Sequence, residues 1–161
     1  LGRTWQTATI QLDFAMPERF DLTYMDEKNK LRLPVMIHRT VYGSLERFIG
    51  VLLEHLNGRL PVWLAPVQCR IINFTDRNNS AVENLAEDLK QKGFRIDMDL
   101  SSEPISGKIK QAEIEKIPYI IVIGDKEEAE NTIAVRKNSI VVQMRKFDFL
   151  SQIRKEIAEK I

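Results

Sequence analysis

The stretch that decides how this chain folds is Pro34-Val-Met-Ile-His-Arg-Thr-Val-Tyr-Gly-Ser-Leu-Glu-Arg-Phe-Ile-Gly-Val-Leu-Leu-Glu54. Its first part is mostly apolar and carries His38, which is typical of a strand. Gly43 and Ser44 follow, and serine is a preferred N-cap of helices. Apolar residues then recur at helical spacing, with Arg47 in the first turn. The stretch therefore predicts a strand, a turn and an amphipathic helix with one buried face. That face consists of Leu45, Phe48, Ile49, Leu52 and Leu53.

Length and composition allow one domain of ordinary size, or one small domain with part of another, in these 161 residues. A hydrophobic share of 43% and a charged share of 29% are typical of a soluble globular protein. The net charge of +1 argues neither for nor against a nucleic-acid partner. The single cysteine, Cys69, excludes an intrachain disulfide, and its apolar neighbours predict a packed residue. No apolar run reaches the roughly 20 residues that span a bilayer, so we expect no membrane contact and a cytoplasmic protein.

The first part of the chain predicts a small antiparallel arrangement. Residues 7–14 alternate polar and apolar side chains as a half-buried strand does, and residues 17–19 predict a turn or loop. Residues 26–30 are a charged hairpin tip, and residues 31–41 predict the next strand.

Strands and helices alternate after a proline-containing linker at residues 59–66. Such alternation gives parallel strand pairs with covering helices, and a final hairpin around residues 136–139 adds antiparallel strands. We therefore expect an α/β fold with a five-stranded mixed sheet and three main helices. The predicted strands are residues 67–74, 94–98, 119–123, 132–135 and 140–144, and the predicted helices are residues 78–91, 106–117 and 149–161.

The segment around Arg47 resembles motif 3 of the class II aminoacyl-tRNA synthetases, and in particular that of the threonyl-tRNA synthetases. The resemblance implies that Arg47 is a catalytic residue that holds the γ-phosphate of ATP, with Gly43 and Ser44 beside the nucleotide. A cation has a chemical reason here, because activation of a carboxylate builds negative charge on the leaving pyrophosphate. From the residues alone, an ordinary ion pair of Arg47 with Glu46 or Asp13 is the alternative.

A second match to the same family lies in residues 5–14. The resemblance implies that Gln6 lies near ATP and that Gln11 lies near threonine as part of the catalytic site. Thr7 and Ala8 stand where the family has a Cys-Gly pair, which is a small change in size. From the residues alone, the two glutamines are ordinary polar residues of a strand.

His38 is the candidate metal ligand. From the residues alone, a single histidine in an apolar strand is more often a hydrogen-bonded core residue. The resemblance implies that His38 binds zinc together with a cysteine and a second histidine that precede this segment in the family, and that the metal takes the amino group and hydroxyl of threonine. Because a zinc site needs about three protein ligands, we expect ATP with Mg and zinc in the full-length enzyme, and no zinc in this chain alone.

The second part of the chain resembles the class IIa anticodon-binding domain. Residues 63–68, 124–127 and 134–136 carry the match. The resemblance implies that Arg136 reads a guanine edge, for which guanidinium geometry is suited, and that Glu127 accepts a hydrogen bond from a base. The other implied contacts with bases or phosphates are Ser102, Lys108, Lys110 and Lys116.

Two departures from the family pattern concern these contacts. Ser101 and Ser102 stand where the family often has Arg-Asn, and Lys110 stands where it has arginine. Both changes remove bidentate groups, so we expect base contacts that are weaker or redistributed. From the residues alone, a helix in which lysine and glutamate alternate is more often only a solvated face.

These observations predict the C-terminal part of a class II synthetase, with the end of the catalytic domain at residues 1–60 and an anticodon-binding domain at residues 61–161. The family activates threonine with ATP, transfers it to tRNA-Thr and works as a homodimer. We expect this chain alone to be inactive, because the earlier class II motifs are missing, and its part of the catalytic sheet to expose apolar surface and to be poorly ordered or associate. The alternative is a non-catalytic RNA-binding or regulatory module, which would have no need for an ATP arginine and a metal histidine.

Overall fold

The computed structural model describes residues 2–161, which fall into two units, residues 2–57 and residues 58–161. The first unit contains two pairs of antiparallel strands and two helices, and the second is built on one five-stranded mixed sheet. The α/β fold class predicted from the sequence is confirmed. No helix within residues 2–161 is long and apolar enough to cross a membrane.

The strands of the first unit form two antiparallel pairs. Strand β1 (Thr9–Asp13) pairs with β4 (Met36–Thr40), and the short strands β2 (Tyr24–Met25) and β3 (Leu31–Arg32) form a hairpin. Residues 26–30 are its tip, as their charge and polarity predict.

The predicted long strand over residues 31–41 is interrupted. It is divided into β3 and β4, with Pro34 in the gap between them. Proline lacks the N–H that a strand ladder needs and restricts the residue before it, so the chain leaves one pair and enters the other there.

A short helix, α1 (Ala15–Arg19), replaces the turn that was predicted at residues 17–19. The Asp13 carboxylate accepts hydrogen bonds from the N–H groups of Ala15 and Met16, at 2.9 and 3.0 Å. These bonds satisfy donors that the first turn of a helix leaves free, so a carboxylate just before the segment stabilises it as a helix.

Helix α2 (Leu45–His55) forms where the opening stretch predicts it, and Ser44 Oγ accepts from the N–H of Arg47 at 3.2 Å as an N-cap does. Its predicted burial is wrong, because none of its residues is buried and Leu45 is 62% exposed. An amphipathic helix buries its apolar face only against another apolar layer, and residues 2–57 provide none that covers it.

The sheet of the second unit contains five strands, β5 (Cys69–Asn73), β6 (Ile96–Asp99), β7 (Tyr119–Ile123), β8 (Ile133–Lys137) and β9 (Ile140–Met144). Their order in the sheet is β6-β5-β7-β8-β9. Strand β5 is parallel to both β6 and β7, whereas β8 is antiparallel to both β7 and β9, as the predicted mixed sheet requires.

Two helices, α3 (Asn79–Gln91) and α6 (Lys146–Glu159), pack on one face of this sheet, and α4 (Ile105–Ile114) packs on the other. A 3-10 turn (Asp76–Asn78) precedes α3, and the short helix α5 (Asp125–Glu130), which the sequence reading missed, follows β7. These are the three predicted main helices with one short addition.

The core lies between the sheet and α3 with α6. Cys69, Ile71 and Ile121 are fully buried there, and burial raises the pKa of the Cys69 thiol far above its ordinary value. Cys69 is thus a packed, unreactive residue, as its apolar neighbours predict. A smaller cluster around Ile72 and Ile120 packs under α4.

Candidate functional site

Arg47 is held at the start of α2 by contacts with the strand region before it. Its Nη2 donates to the main-chain oxygen of Gln6 at 2.9 Å. Gly43 has φ +69°, and a Cβ built on it would lie 2.7 Å from Arg47 Nη2. Glycine is therefore needed here twice, for its left-handed backbone and for the space that the guanidinium occupies.

The alternative partners of Arg47 are not used. Asp13 contacts His38 instead, and within residues 2–161 no ion pair joins Arg47 to Glu46. Therefore no carboxylate in the part of the chain that the structure describes neutralises the Arg47 guanidinium, and most of its N–H groups are available to bind a phosphate.

Gln11 and His38 are directly opposite each other in the β1–β4 pair, so their side chains lie on one face. Asp13 is two residues along the same strand, and its Oδ2 lies 3.0 Å from His38 Nε2. The N–H of Met16 and the His38 ring lower the pKa of the Asp13 carboxyl. His38 is 46% exposed, so it is not the core residue that its apolar neighbours suggested.

The metal donors that the structure brings together are few. No group of three or more His, Cys, Asp or Glu side chains that could hold a metal ion occurs among residues 2–161. His38 with Asp13 supplies two donors, and His55 lies at the far end of α2. The residues present therefore do not fit a zinc site by themselves.

Arg136 lies in strand β8 and not in the hairpin turn where the sequence reading placed it. The turn is Asn138-Ser139, with φ of +49° and +67°, which is the backbone of a two-residue hairpin loop. Arg136 is paired with Ile120 of β7, on the face that carries α4. Its Nε donates to Oε1 of Glu113 in α4 at 2.9 Å.

Glu127 caps its own helix. Its Oε2 accepts from the N–H of Gly124 at 3.0 Å, and a Cβ on Gly124 would lie 3.1 Å from that oxygen. One carboxylate oxygen of Glu127 thus accepts a hydrogen bond at the N-terminus of α5, and the other is available to accept one from a base.

The predicted lysines differ in exposure. Lys110 is exposed and Lys116 is half-buried, but Lys108 is only 2% exposed and its ammonium contacts the Asn73 side chain at the end of β5. The predicted phosphate contact of Lys108 is therefore wrong. A lysine that is buried beside its amide partner is a structural group and cannot reach RNA phosphates in this arrangement.

The remaining predicted residues lie near opposite ends of the strands of the sheet. Ser102 and Glu127 follow β6 and β7, at the carboxyl ends of these parallel strands. Arg136 and Lys116 lie near the amino end of β7, roughly 13 Å away along the strand at ~3.3 Å per residue. Ser101, next to Ser102, donates from its N–H and its hydroxyl to Asp99 at 3.0 and 2.7 Å.

An open strip of sheet joins these two ends beside α4. Apart from Ile120, which is buried under α4, its side chains are half-buried or exposed within residues 58–161, so flat ligands such as unstacked bases have access to them. The sequence reading missed the strip because its residues are unremarkable strand residues. The strip consists of Val122, Ala134 and Gln143 in one row and Ile120, Arg136 and Val141 in the other.

Comparison with protein families gives two matches. The family model of the anticodon binding domain matches residues 68–156, which is more than half of the chain. The family model of the tRNA synthetase class II core domain (G, H, P, S and T) matches residues 1–56.

Individual relatives agree with these matches. The chain is 50% identical to a threonine–tRNA ligase of Clostridium novyi over 99% of its own length, and 49% identical to one of Clostridium acetobutylicum over 100%. It spans only 25% and 26% of these two relatives, or about a quarter of their length.

Solved structures show the same likeness. The crystal structure of the RNA binding domain of threonyl-tRNA synthetase from Cryptosporidium parvum superimposes with a TM-score of 0.84 at 31% identity, over 96% of this chain and 40% of that one. A putative threonyl-tRNA synthetase from Aeropyrum pernix gives a TM-score of 0.68 at 29% identity, over 96% and 39% of the two chains. The chain therefore belongs to the anticodon-binding domain family, and its resemblance to the threonyl-tRNA synthetases is confirmed over its whole length.

Proposed function

We propose that this chain is the C-terminal part of a threonine–tRNA ligase and that residues 61–161 recognise the anticodon of tRNA-Thr. The observation that carries the proposal is the position of Arg136 on the open strip. Glu113 holds its Nε at 2.9 Å, while its two terminal nitrogens make no hydrogen bond within residues 2–161. Those two nitrogens form the fork that matches O6 and N7 of guanine, which is the middle base of threonine anticodons.

Glu127 and the lysines have supporting roles in this proposal. The free oxygen of Glu127 accepts from a base at the other end of the strip, and Ser102 offers a hydroxyl beside it. Lys110 and Lys116 attract phosphates, which adds affinity but no sequence preference.

Residues 1–60 are proposed to supply part of the active site of the full-length enzyme, which activates threonine and transfers it to tRNA-Thr. Arg47 holds the γ-phosphate of ATP bound with Mg, Gln6, Gly43 and Ser44 lie beside the nucleotide, and Gln11 faces threonine. The guanidinium of Arg47 forms no ion pair within residues 2–161 and donates a hydrogen bond to the main chain of Gln6 at 2.9 Å. This arrangement favours a catalytic role over a non-catalytic module.

Other features of the full-length enzyme rest on the resemblance alone. They are a cytoplasmic homodimer and a zinc ion for which His38 is one ligand. The chain alone is expected to lack aminoacylation activity, because it spans about a quarter of its relatives.

The test is to measure binding of the chain to tRNA-Thr and to the same tRNA with its middle anticodon base changed, at two salt concentrations. We expect the change to cost about 1–3 kcal/mol, the value of one bidentate base contact. The cost should be the same at both salts, because the two RNAs carry the same phosphates.

Two variants complete this experiment. Arg136→Gln should abolish the difference between the RNAs, while Lys90→Met, on the opposite face of the sheet, should preserve it. Equal affinity of the unmodified chain for both RNAs would contradict the proposal and favour a module that binds phosphates only.

A further inference from the structure

A buried amide fixes how the short helix α5, which carries Glu127, lies on the second unit. This amide belongs to Asn78 in the 3-10 turn before α3, and the residue is only 1% exposed. Its Nδ2 donates to Oδ1 of Asp125 at 2.9 Å and to Oε1 of Glu128 at 3.0 Å. Both acceptors belong to α5, so both hydrogens of the amide hold this helix.

The oxygen of the same amide holds the turn in which Asn78 lies. Asn78 Oδ1 accepts from the N–H of Thr75 at 3.1 Å and from its hydroxyl at 2.9 Å. The side chain thus makes four hydrogen bonds, which is the full capacity of an amide. A flipped amide would set its N–H groups against the Thr75 donors and its oxygen against two carboxylates. The orientation of the amide is therefore fixed by its partners.

The held face of α5 decides where Glu127 lies. Residues three apart share one face of a helix, so Asp125 and Glu128 both face Asn78. Glu127 is turned away from that face, because each residue advances by about 100° around the axis. Its Oε2 accepts from the N–H of Gly124, and its other oxygen accepts no hydrogen bond within residues 2–161. A rotation of α5 about its axis would therefore move this free oxygen.

The other contacts of α5 are too weak to fix that rotation. None of its six residues is buried, and six residues are fewer than the ~12–15 that an isolated helix needs in water. Arg77 Nη2 lies 3.0 Å from Asp125 Oδ2, but these two side chains are 77% and 63% exposed. An exposed ion pair of this kind contributes little, so the buried amide of Asn78 is the stronger contact.

We propose that Asn78 is a positioning residue for base recognition. By holding Asp125 and Glu128 it sets the rotation of α5, and with it the place of the Glu127 oxygen that a base contacts. The inference rests on the proposed contact of Glu127 with an anticodon base and adds to it a residue that is itself buried from RNA. Recognition of the middle base by Arg136, near the other end of the strands, is independent of Asn78.

The experiment uses the full 161-residue chain and an anticodon stem-loop RNA of tRNA-Thr in which each anticodon base is changed in turn. Glu127→Gln identifies the base that Glu127 contacts. Asn78→Asp keeps the oxygen that Thr75 binds but sets a third carboxylate against Asp125 and Glu128 at neutral pH. Thr75→Val is the matched control, because it removes a hydrogen bond from the other side of the same amide. Far-UV circular dichroism and thermal melting verify that each variant is folded.

We expect Glu127→Gln to reduce the preference for one anticodon base, other than the middle one, by roughly fivefold or more, as loss of a hydrogen bond to a charged group does. Asn78→Asp should reduce the preference for that same base by a similar factor and leave the preference for the middle base unchanged. Thr75→Val should melt at a lower temperature but keep both preferences.

A second variant applies the same test from the side of α5. Asp125→Ala with Glu128→Ala changes two exposed residues and removes the same two hydrogen bonds to Asn78. It should reproduce the loss of preference even if Asn78→Asp does not fold.

The positioning role and the proposed function fail in different ways. If the unmodified chain does not sense the middle base, anticodon recognition and this inference are both contradicted. If Glu127→Gln changes no preference, the Glu127 contact is wrong and Asn78 has nothing to position. A loss that is confined to Glu127→Gln, with the preference kept when the hydrogen bonds of Asn78 to α5 are removed, would overturn the positioning role alone. So would an equal loss at the middle base in Asn78→Asp, because it would show a general loosening of the second unit.

Discussion

Residues 2–57 and residues 58–161 both contain strands and amphipathic helices, but they differ in what they bury. In the first unit Pro17 alone is buried among the described residues, and Ile10, Leu12 and Ile37 are at least 60% exposed. In the second unit the sheet is covered by helices on both faces and has a fully buried core. Local sequence therefore suffices to form strands and helices, while burial depends on a second layer.

The same difference affects the two sites. In the first unit, Arg47 and Gln6 are positioned by short contacts between a turn and a strand. In the second unit, Arg136 is fixed by its place in a packed sheet and by Glu113. The second unit is therefore the part of the chain in which the side chains of a binding site are held most rigidly by the surrounding structure.

The largest contrast is expected for core truncations. Ile71→Ala, in the second unit, should lower the free energy of unfolding by about 2–5 kcal/mol, because it leaves a cavity in a fully buried position. Leu12→Ala, in the first unit, should change it by no more than ~0.5 kcal/mol. Urea unfolding followed by circular dichroism measures both, and similar effects of the two changes would contradict the contrast.

A smaller contrast is expected for ion pairs. Arg70 donates to Asp97 at 2.6 and 2.9 Å and to Glu115 at 2.7 Å, and its side chain is only 12% exposed. Arg70→Met should cost about 1–2 kcal/mol, since its partners are partly solvated. Arg32→Met, which removes an exposed pair with Asp26 in the first unit, should cost less than ~1 kcal/mol. Urea unfolding of both variants tests this, and an equal cost would argue against it.

The smallest expected effect concerns pH. Burial raises the pKa of the Glu156 carboxyl, but hydrogen bonds from Lys137 and Tyr119 outweigh it and leave that pKa below its ordinary value of 4.5. The unfolded chain thus takes up this proton first, so the stabilisation is present above pH 4.5 and is lost as pH falls below it.

Glu156→Gln should therefore be less stable than the unmodified chain by about 1 kcal/mol near neutral pH, and the gap should shrink in acid. Urea unfolding at a series of pH values measures the gap. A gap that stays constant or widens in acid would show that the carboxylate is not stabilised in this way.

The sequence predicted the sheet of the second unit well because its strands are short apolar runs, and residues 119–123 are a strand with the predicted bounds. It missed α5 because residues 125–130 are mostly acidic and have no apolar periodicity. Arg136 was predicted to lie in the hairpin turn because the turn was taken as four residues long, whereas Asn138-Ser139 alone form a tight two-residue loop.

Two predictions were wrong because the chemical type of a residue was taken to decide whether it is exposed or buried. Lys108 occupies a position on the face of α4 that includes Ile105, Ile109 and Ala112, so helical spacing alone places it inward. The burial of α2 could not be predicted from its own periodicity, because periodicity shows which face is apolar and not whether another layer covers it.

The most direct test of the account is a double-mutant cycle between Arg136→Gln and the middle anticodon base of tRNA-Thr. Four affinities are measured, for the unmodified chain and the variant with each of two RNAs, at one salt concentration. We predict that Arg136→Gln costs about 1–3 kcal/mol with the normal anticodon and close to nothing with the changed base, which is a coupling between the two. The same cost with both RNAs would contradict the account, because it would make Arg136 a phosphate ligand and not a reader of the anticodon.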